Sequence, residues 1–530
     1  MLFRRQQPER RDHVHRHDRG ELAEAREGRN GYARCMAANP QAGDPGDWLV
    51  PRAHEPVRAL VRLPGSKSMT NRALVLAALS GAPADILGPL VARDTELMAA
   101  ALRTLGWQIN ESPSSWHVEP AGDSGGSGRG AAWTDERGSA ATERGGKAAP
   151  QGAPTPGAGG SGGSPPGGQS GGSPPRVIQV GNAGTVLRFL PPVAALAGMD
   201  VAFRGDRRVA ERPIAPLLDA LAELGAPISY PDGGRFPFVV HGRQSVPGGA
   251  ITLDASLSSQ FVSGLLLSAP RFESGAAVTH VGPPVPSLPH IEMTVRMLRA
   301  CGVQVETALG EEAGTSGRQF FPNVWRVFPG PIVAREIVIE PDLSNAVPFL
   351  AAALATGGEV TIADWPAASL QPAERIIDVL TAMGADVRLT PAGLAVSGSG
   401  RISGIGADLS AVGELTPVLT ALAALASSPS EFTGIGHLRR HESDRLAALA
   451  AEIGKLGGDV TELADGLAIK PRPLRAEGVV FDSHDDHRLV MAAAVLGLVT
   501  DGLRVRNAAT VGKTFPEFST YWTRTLASAG

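Results

Sequence analysis

The chain is poor in cysteine, in aromatic residues and in basic excess, and each shortage removes a class of function. Two cysteines, Cys35 and Cys301, among 530 residues cannot build a disulfide framework, which fits a reducing compartment. A formal charge of −4 leaves no surplus of Lys and Arg to displace counterions from nucleic acid. No apolar run approaches the roughly 20 residues needed to cross a bilayer, and the Arg/His-rich N-terminus has no apolar segment of the secretory type. A soluble cytoplasmic protein without membrane or nucleic-acid partners is expected. Only 5% of the residues are aromatic, while Gly and Pro are abundant, and much of that abundance lies in two stretches that lack the apolar residues of a core. Residues 1–47, with ERRDHVHRHDRGE, read as a solvated tail, and about 122–175, ending GAPTPGAGGSGGSPPGGQSGGSPP, as a flexible insert.

What remains is long enough for two cores, and it repeats. An apolar-periodic helix ends in Leu-Gly or Met-Gly, or in a close variant, and leads into a strand-like run. The copies are ALRTLGWQI (101–109), LLDALAELGAPISY (217–230), MTVRMLRACGVQVE (293–306), IIDVLTAMGADVRL (376–389) and LAALAAEIGKLGGDVTEL (446–463). The glycine is the left-handed cap that turns helix into strand. Five copies, with a sixth implied by the C-terminal segment, predict an α/β (α+β) protein with about three units in each of two domains.

The chemistry lies where the apolar periodicity breaks. In LPGSKSMTNRALVLAAL (63–79), Lys67, Ser68 and Arg72 gather hydroxyls, an ammonium and a guanidinium at a helix entry, a ready anion site that lacks Walker A spacing. GNAGTVLRFL (181–190) allows close backbone approach at Gly184, followed by Thr185 and Arg188. GDRRVAERPIAPLLDAL (205–221) carries Arg208 and Arg212 ahead of a helix, and SLSSQFVSGLLL (256–267) offers Ser258, Ser259 and Gln260, suited to a polyol or phosphate ester. In the second half, EPDLSNAVPFLAAAL (340–354) places Asp342 at a helix start, where it also reads as a simple cap. HLRRHESDRLAAL (437–449) packs His441, Glu442 and Arg445 together, DSHDDHRLVMAAAVLGL (482–498) adds Arg488, and VGKTFPEF (511–518) adds Lys513. His484, Asp485, Asp486 and His487 invite a metal reading that the adjoining Arg488 opposes. Taken together, Lys67, Arg72, Arg188, Arg208, Arg445, Arg488 and Lys513 at the edges of apolar segments imply substrates carrying several negative charges, with Asp342 and Glu442 as acid and base equipment.

The stretches LPGSKSMTNRAL, GNAGTVLRFL, AERPI, SSQF, HESDR, DDHR and GKTFPEF, in this order from about Leu49 to Phe518, resemble the signature motifs of the 5-enolpyruvylshikimate-3-phosphate (EPSP) synthases, most closely of actinobacterial type. The resemblance implies an inside-out barrel of six βαβαββ repeats, three per domain, with the active site in the interdomain cleft. One domain would be discontinuous, 48–64 plus 335–530, and the other would span 65–334. It implies transfer of the enolpyruvyl group of phosphoenolpyruvate to shikimate 3-phosphate by a monomer, without metal or organic cofactor. Phosphoenolpyruvate would meet Lys67, Gly184, Arg208, Gln260, Arg445, Arg488 and Lys513. Shikimate 3-phosphate would meet Ser68, Arg72, Thr185, Ser258, Ser259, Gln260, Ser287, Asp342, Glu414 and His441. Asp342 would act as base at the 5-hydroxyl, Glu442 would move the methylene proton, and Lys67 would share the catalytic role. Three positions depart from the common family pattern: His441 for Lys, His290 for Tyr and Glu414 for Asn or Asp. Retention of Gly184 implies sensitivity to glyphosate. The sister enolpyruvyl transferase acting on UDP-N-acetylglucosamine would need a reactive loop cysteine, whereas Cys301 falls in a repeat helix. A non-catalytic anion-binding protein would not need both carboxylates.

Overall fold

Helix-ending glycines set the local architecture. Gly106, Gly225, Gly302, Gly384 and Gly457 all adopt positive φ, between 78° and 113°, a conformation that costs glycine nothing. They terminate the helices Arg93–Leu105, Ala215–Glu223, Leu288–Ala300, Ala373–Ala382 and Arg445–Lys455 and release the chain into the strands Trp107–Glu111, Ile228–Ser229, Val305–Ala308, Asp386–Thr390 and Asp459–Leu463. All five sequence repeats therefore fold alike at their helix-to-strand turn. The computed structural model describes residues 47–120, 174–231, 233–308 and 322–527. The expected tail and the expected insert lie outside the described residues, apart from a residue or two at their edges.

The result is a mixed α/β fold built of many small sheets. Among the described residues, five four-stranded sheets share one plan: two parallel strands, the second of which continues into an antiparallel pair. In one of them Glu336–Val338 runs parallel to Ala84–Leu87, and in another Arg58–Val61 runs parallel to Glu359–Ile362. Each half of the chain thus lends a strand to a sheet of the other half. The crossings lie side by side: Ser66 N–H donates to Glu340 O at 2.8 Å and Asp342 N–H to Pro64 O at 2.9 Å. Gly65 is needed there, since a Cβ would sit 2.2 Å from Gly88 O.

Buried apolar residues form two cores. One runs from Met69 to Ile339; the other joins Val50, Val57 and Val61 to residues from Leu343 to Trp522. Core membership changes between Ile339 and Leu343, because Glu336–Val338 and Ile339 remain with the first core. Cys301 is buried in the first core, and burial pushes its thiol up to about 11, leaving it unreactive at neutral pH. Among the described residues no helix is long and apolar enough to cross a membrane.

Candidate active site

Between the cores lies a cavity on which seven helix N-termini converge: those of Lys67–Ser80, Gly184–Ala195, Gln260–Ser268, Leu288–Ala300, Leu343–Thr356, Arg445–Lys455 and His487–Gly497. Each end presents free N–H groups and the positive end of a helix dipole, so the backbone alone favours anions. The side chains add to this. Lys67, Arg188, Arg212, Arg440, Arg445 and Arg488 line the cavity against Asp94, Asp342, Glu414 and Glu442.

Glu442 is the centre of the charged cluster. Its Oε1 accepts from Lys513 Nζ at 3.0 Å and lies 3.9 Å from Arg212 Nη1, while Oε2 accepts from Arg445 Nη2 at 3.2 Å. Burial pushes this carboxyl up, but Lys513, Arg212, Arg445 and His487 together outweigh burial and hold it well below the usual carboxylate range. Arg445 is anchored in turn by Asp486, which accepts from its Nε at 2.8 Å and Nη2 at 3.2 Å while capping the helix His487–Gly497. Burial pulls Lys67 below its usual value, opposed by Asp94, whose Oδ2 lies 3.4 Å from Lys67 Nζ.

Asp342 is heavily committed. Its Oδ1 accepts from the N–H groups of Ser344 and Asn345 and from Ser344 Oγ, and its Oδ2 accepts from Lys67 N–H at 3.2 Å. It is the cap that the sequence allowed for, and it also ties the two chain crossings together. Glu414 is less encumbered, with His290 Nε2 at 3.4 Å from its Oε1. Burial pushes the Glu414 carboxyl up, yet His290 and Arg488 bring it down to about 2. His441 stays neutral: burial and Arg445 hold its imidazole well below the ordinary value.

Of the residues expected at the site, Lys67, Ser68, Gly184, Thr185, Ser258, Ser259, Gln260, Ser287, Asp342, Glu414, His441, Glu442, Arg445 and Arg488 line this one cavity. Lys513 reaches it through Glu442. Arg72 lies behind the wall, 1% exposed, donating to Ser68 O, His290 O and Thr294 Oγ1, with burial lowering its guanidinium to about 9. Arg208 is 44% exposed, pairs with Glu211 and touches the site only at Glu442 O, 3.1 Å from its Nε. Arg212, four residues on, lines the cavity instead, and a Cβ on Gly184 would come within 2.6 Å of its Nη2 and 3.0 Å of Arg188 Nη1. Asp94, His437 and Arg440 are further lining residues with no assigned role in the sequence reading. Asp94 lies in the first turn of the helix Arg93–Leu105.

The four residues that suggested a metal diverge. Asp486 serves Arg445, His484 Nε2 meets Glu452 Oε1 at 2.8 Å, and Asp485 pairs with Asn507. Among the described residues no group of three His, Cys, Asp or Glu is placed to hold a metal.

Cations thus surround the Glu442 carboxylate at converging helix ends between two cores. Residues 51–131 and 164–522 match the EPSP synthase (3-phosphoshikimate 1-carboxyvinyltransferase) family.

The chain belongs to the EPSP synthase family.

Similar folds occur in solved structures. Two are EPSP synthase from Acinetobacter baumannii: one at 23% identity with a TM-score of 0.66, covering 92% of this chain and 98% of that one, and another at 22% identity with a TM-score of 0.64, covering 91% and 98%. The enolpyruvyl transferase NikO from Streptomyces tendae is similar at 16% identity and a TM-score of 0.61, covering 92% and 98%. These likenesses carry the fold, and the family match carries the activity: this is a 3-phosphoshikimate 1-carboxyvinyltransferase of the shikimate pathway.

Proposed function

We propose that the cavity binds phosphoenolpyruvate against Lys67, Arg212, Arg445, Arg488 and Lys513, and shikimate 3-phosphate against Ser68, Ser258, Ser259, Gln260 and Ser287, with Glu442 and Glu414 moving the protons. The observation that carries this reading is Glu442 between Lys513, Arg212 and Arg445. A carboxylate so surrounded is a poor acid until another anion draws off the cations. Phosphoenolpyruvate, with its phosphate and carboxylate, is such an anion. Once Arg212, Arg445 and Lys513 turn their charge to it, the burial that pushes Glu442 up prevails, and the group can hold a proton. Glu442 then protonates the methylene carbon, positive charge builds at C2, and the 5-hydroxyl attacks to give a tetrahedral intermediate. Loss of a methyl proton to Glu442 and departure of phosphate, which takes up the proton released by the 5-hydroxyl, complete the transfer. The guanidinium groups hold the leaving phosphate bidentately.

The proton of the 5-hydroxyl goes to Glu414 in this scheme, in preference to Asp342. Each oxygen of Asp342 already accepts a hydrogen bond in the cap and the crossing, whereas Glu414 faces the cavity with His290 Nε2 at 3.4 Å and its own backbone N–H as its neighbours. The two cores with their exchanged strands support two lobes of three units each, closing as an inside-out barrel around the cleft. Function as a cytoplasmic monomer accompanies this reading.

Phosphate release from phosphoenolpyruvate tests it. Release requires shikimate 3-phosphate, and Glu442→Gln lowers kcat by about 10²- to 10⁴-fold. Release with UDP-N-acetylglucosamine in place of shikimate 3-phosphate would overturn the acceptor assignment.

A further inference from the structure

The cavity's cations are not equivalent. Lys67 faces Asp94, Arg188 donates to Gln260 Oε1, and Arg212 donates to Asn182 O. Arg445 is held by Asp486 and Glu442, and Arg488 donates to Ser344 O. Arg440 lines the same cavity, is exposed, and its guanidinium makes no hydrogen bond or ion pair among the described residues. It ends the 3-10 helix Gly436–Arg440, whose tight turn separates it from its neighbour. Arg439 is taken up within its own lobe, by Glu462, Asp444 and Leu463 O. Ordering a long side chain toward a ligand costs conformational entropy, which a charge-assisted bond to an anion can offset for a cation that has no protein partner at a binding cavity.

The neighbouring groups identify which anion. His441 follows directly and, being neutral, supplies no charge where the common family pattern has Lys. Across the cavity, Ser258, Ser259 and Ser287 offer hydroxyls without charge. The two sides meet there, since Ser287 N–H donates to Ser410 O at 2.8 Å. Three hydroxyls can orient a phosphate but leave its charge unbalanced. The cations around Glu442 are claimed by the other substrate in the reading above.

We propose that Arg440 is the charged partner of the phosphate of shikimate 3-phosphate, taking over one position earlier in the chain the charge that His441 does not carry. This rests on the substrate reading above. A guanidinium can grip two phosphate oxygens at once, which an ammonium cannot do.

Calorimetric titration of the folded protein with shikimate 3-phosphate and with unphosphorylated shikimate tests the assignment. Arg440→Ala weakens shikimate 3-phosphate binding about 10- to 100-fold, and leaves shikimate binding and the KM for phosphoenolpyruvate unchanged. Arg440→Lys falls between wild type and Arg440→Ala, and adding His441→Lys to Arg440→Ala restores part of the loss. Equal shikimate 3-phosphate affinity in wild type and Arg440→Ala overturns the proposal, as does an equal loss for both ligands. Failure of the wild type to bind shikimate 3-phosphate would instead overturn the substrate reading itself.

Discussion

The two walls of the cavity are built differently. The wall from the first core sets a stretch of hydroxyls and amides, Ser258, Ser259, Gln260, Ser287 and Thr185, beside the charged Lys67, Asp94, Arg188 and Arg212, with Thr185 Oγ1 accepting from Asn71 at 2.6 Å. The wall from the second core presents Glu442 and Arg445, paired with each other, Arg445 also held by Asp486, with Glu414 facing His290 and Arg488 donating to Ser344 O. A stretch of hydroxyls and amides recognises shape and hydrogen-bond pattern at little electrostatic cost. An ionic wall is expensive to bury and stands only because its charges are paired. In the proposed scheme the hydroxyl stretch selects the polyol, the carboxylates of the second wall move the protons, and cations of both walls hold phosphoenolpyruvate.

The comparison breaks most sharply at the buried pair of Arg445 and Asp486, whose side chains are 3% and 0% exposed. Asp486→Ala leaves the guanidinium buried beside Glu442 alone and destabilises the fold by about 3–5 kcal/mol, read as a lower urea midpoint. In the hydroxyl stretch, Ser258→Ala costs only about 1 kcal/mol of stability. A second test separates the two carboxylates proposed here for different tasks. Glu414→Gln lowers kcat by about 100-fold or more with little change in Tm, whereas Asp342→Ala lowers stability by about 1–2 kcal/mol through loss of its cap. The reverse pattern would return the base role to Asp342. A smaller effect is expected at Gly184, where a methyl group would press on Arg212 and Arg188. Gly184→Ala raises the KM for phosphoenolpyruvate about tenfold, the equivalent of roughly 1.4 kcal/mol, and weakens inhibition by glyphosate in parallel, as steady-state assays will show.

The gentlest test is pH. Burial lowers His437 to about 4 from an ordinary 6.5, and His441 and His487 lie well below that ordinary value too. With folded values below unfolded ones, the unfolded chain takes up protons first. The contribution of these imidazoles to stability is therefore complete above about pH 6.5 and is lost as pH falls toward 4, at up to about 1.4 kcal/mol per pH unit for each group. Glu442, also depressed, adds stability above the ordinary carboxylate range and loses it as pH falls further. Urea midpoints that stay level from pH 7 to 5 would contradict this arrangement of the ionic wall.

Much of this was legible residue by residue because the signals are local. Each helix-ending glycine sits beside its own helix, so Gly106 through Gly457 could be read from periodicity and then found at positive φ. Helix-entry motifs were legible for the same reason, since a polar cluster before an apolar run marks a helix start wherever it folds. Arg208 and Arg212 show where that stops. They lie four residues apart in one motif, and only packing decides that Arg212 turns into the cavity beside Gly184 while Arg208 pairs with Glu211 at the surface. Arg72 has the composition of a ligand-binding cation, but Thr294 and His290, more than 200 positions away, claim its guanidinium.

The sequence by itself determined the repeat, the helix starts and stops, the excess of cations and the family, because each depends on neighbours in the chain. Only the tertiary structure decided which of those cations share one cavity, that Asp342 is taken up by a helix cap and the chain crossing, and that Arg58–Val61 and Glu336–Val338 exchange between halves. Those outcomes depend on burial and on contacts between residues hundreds of positions apart, which no local pattern encodes.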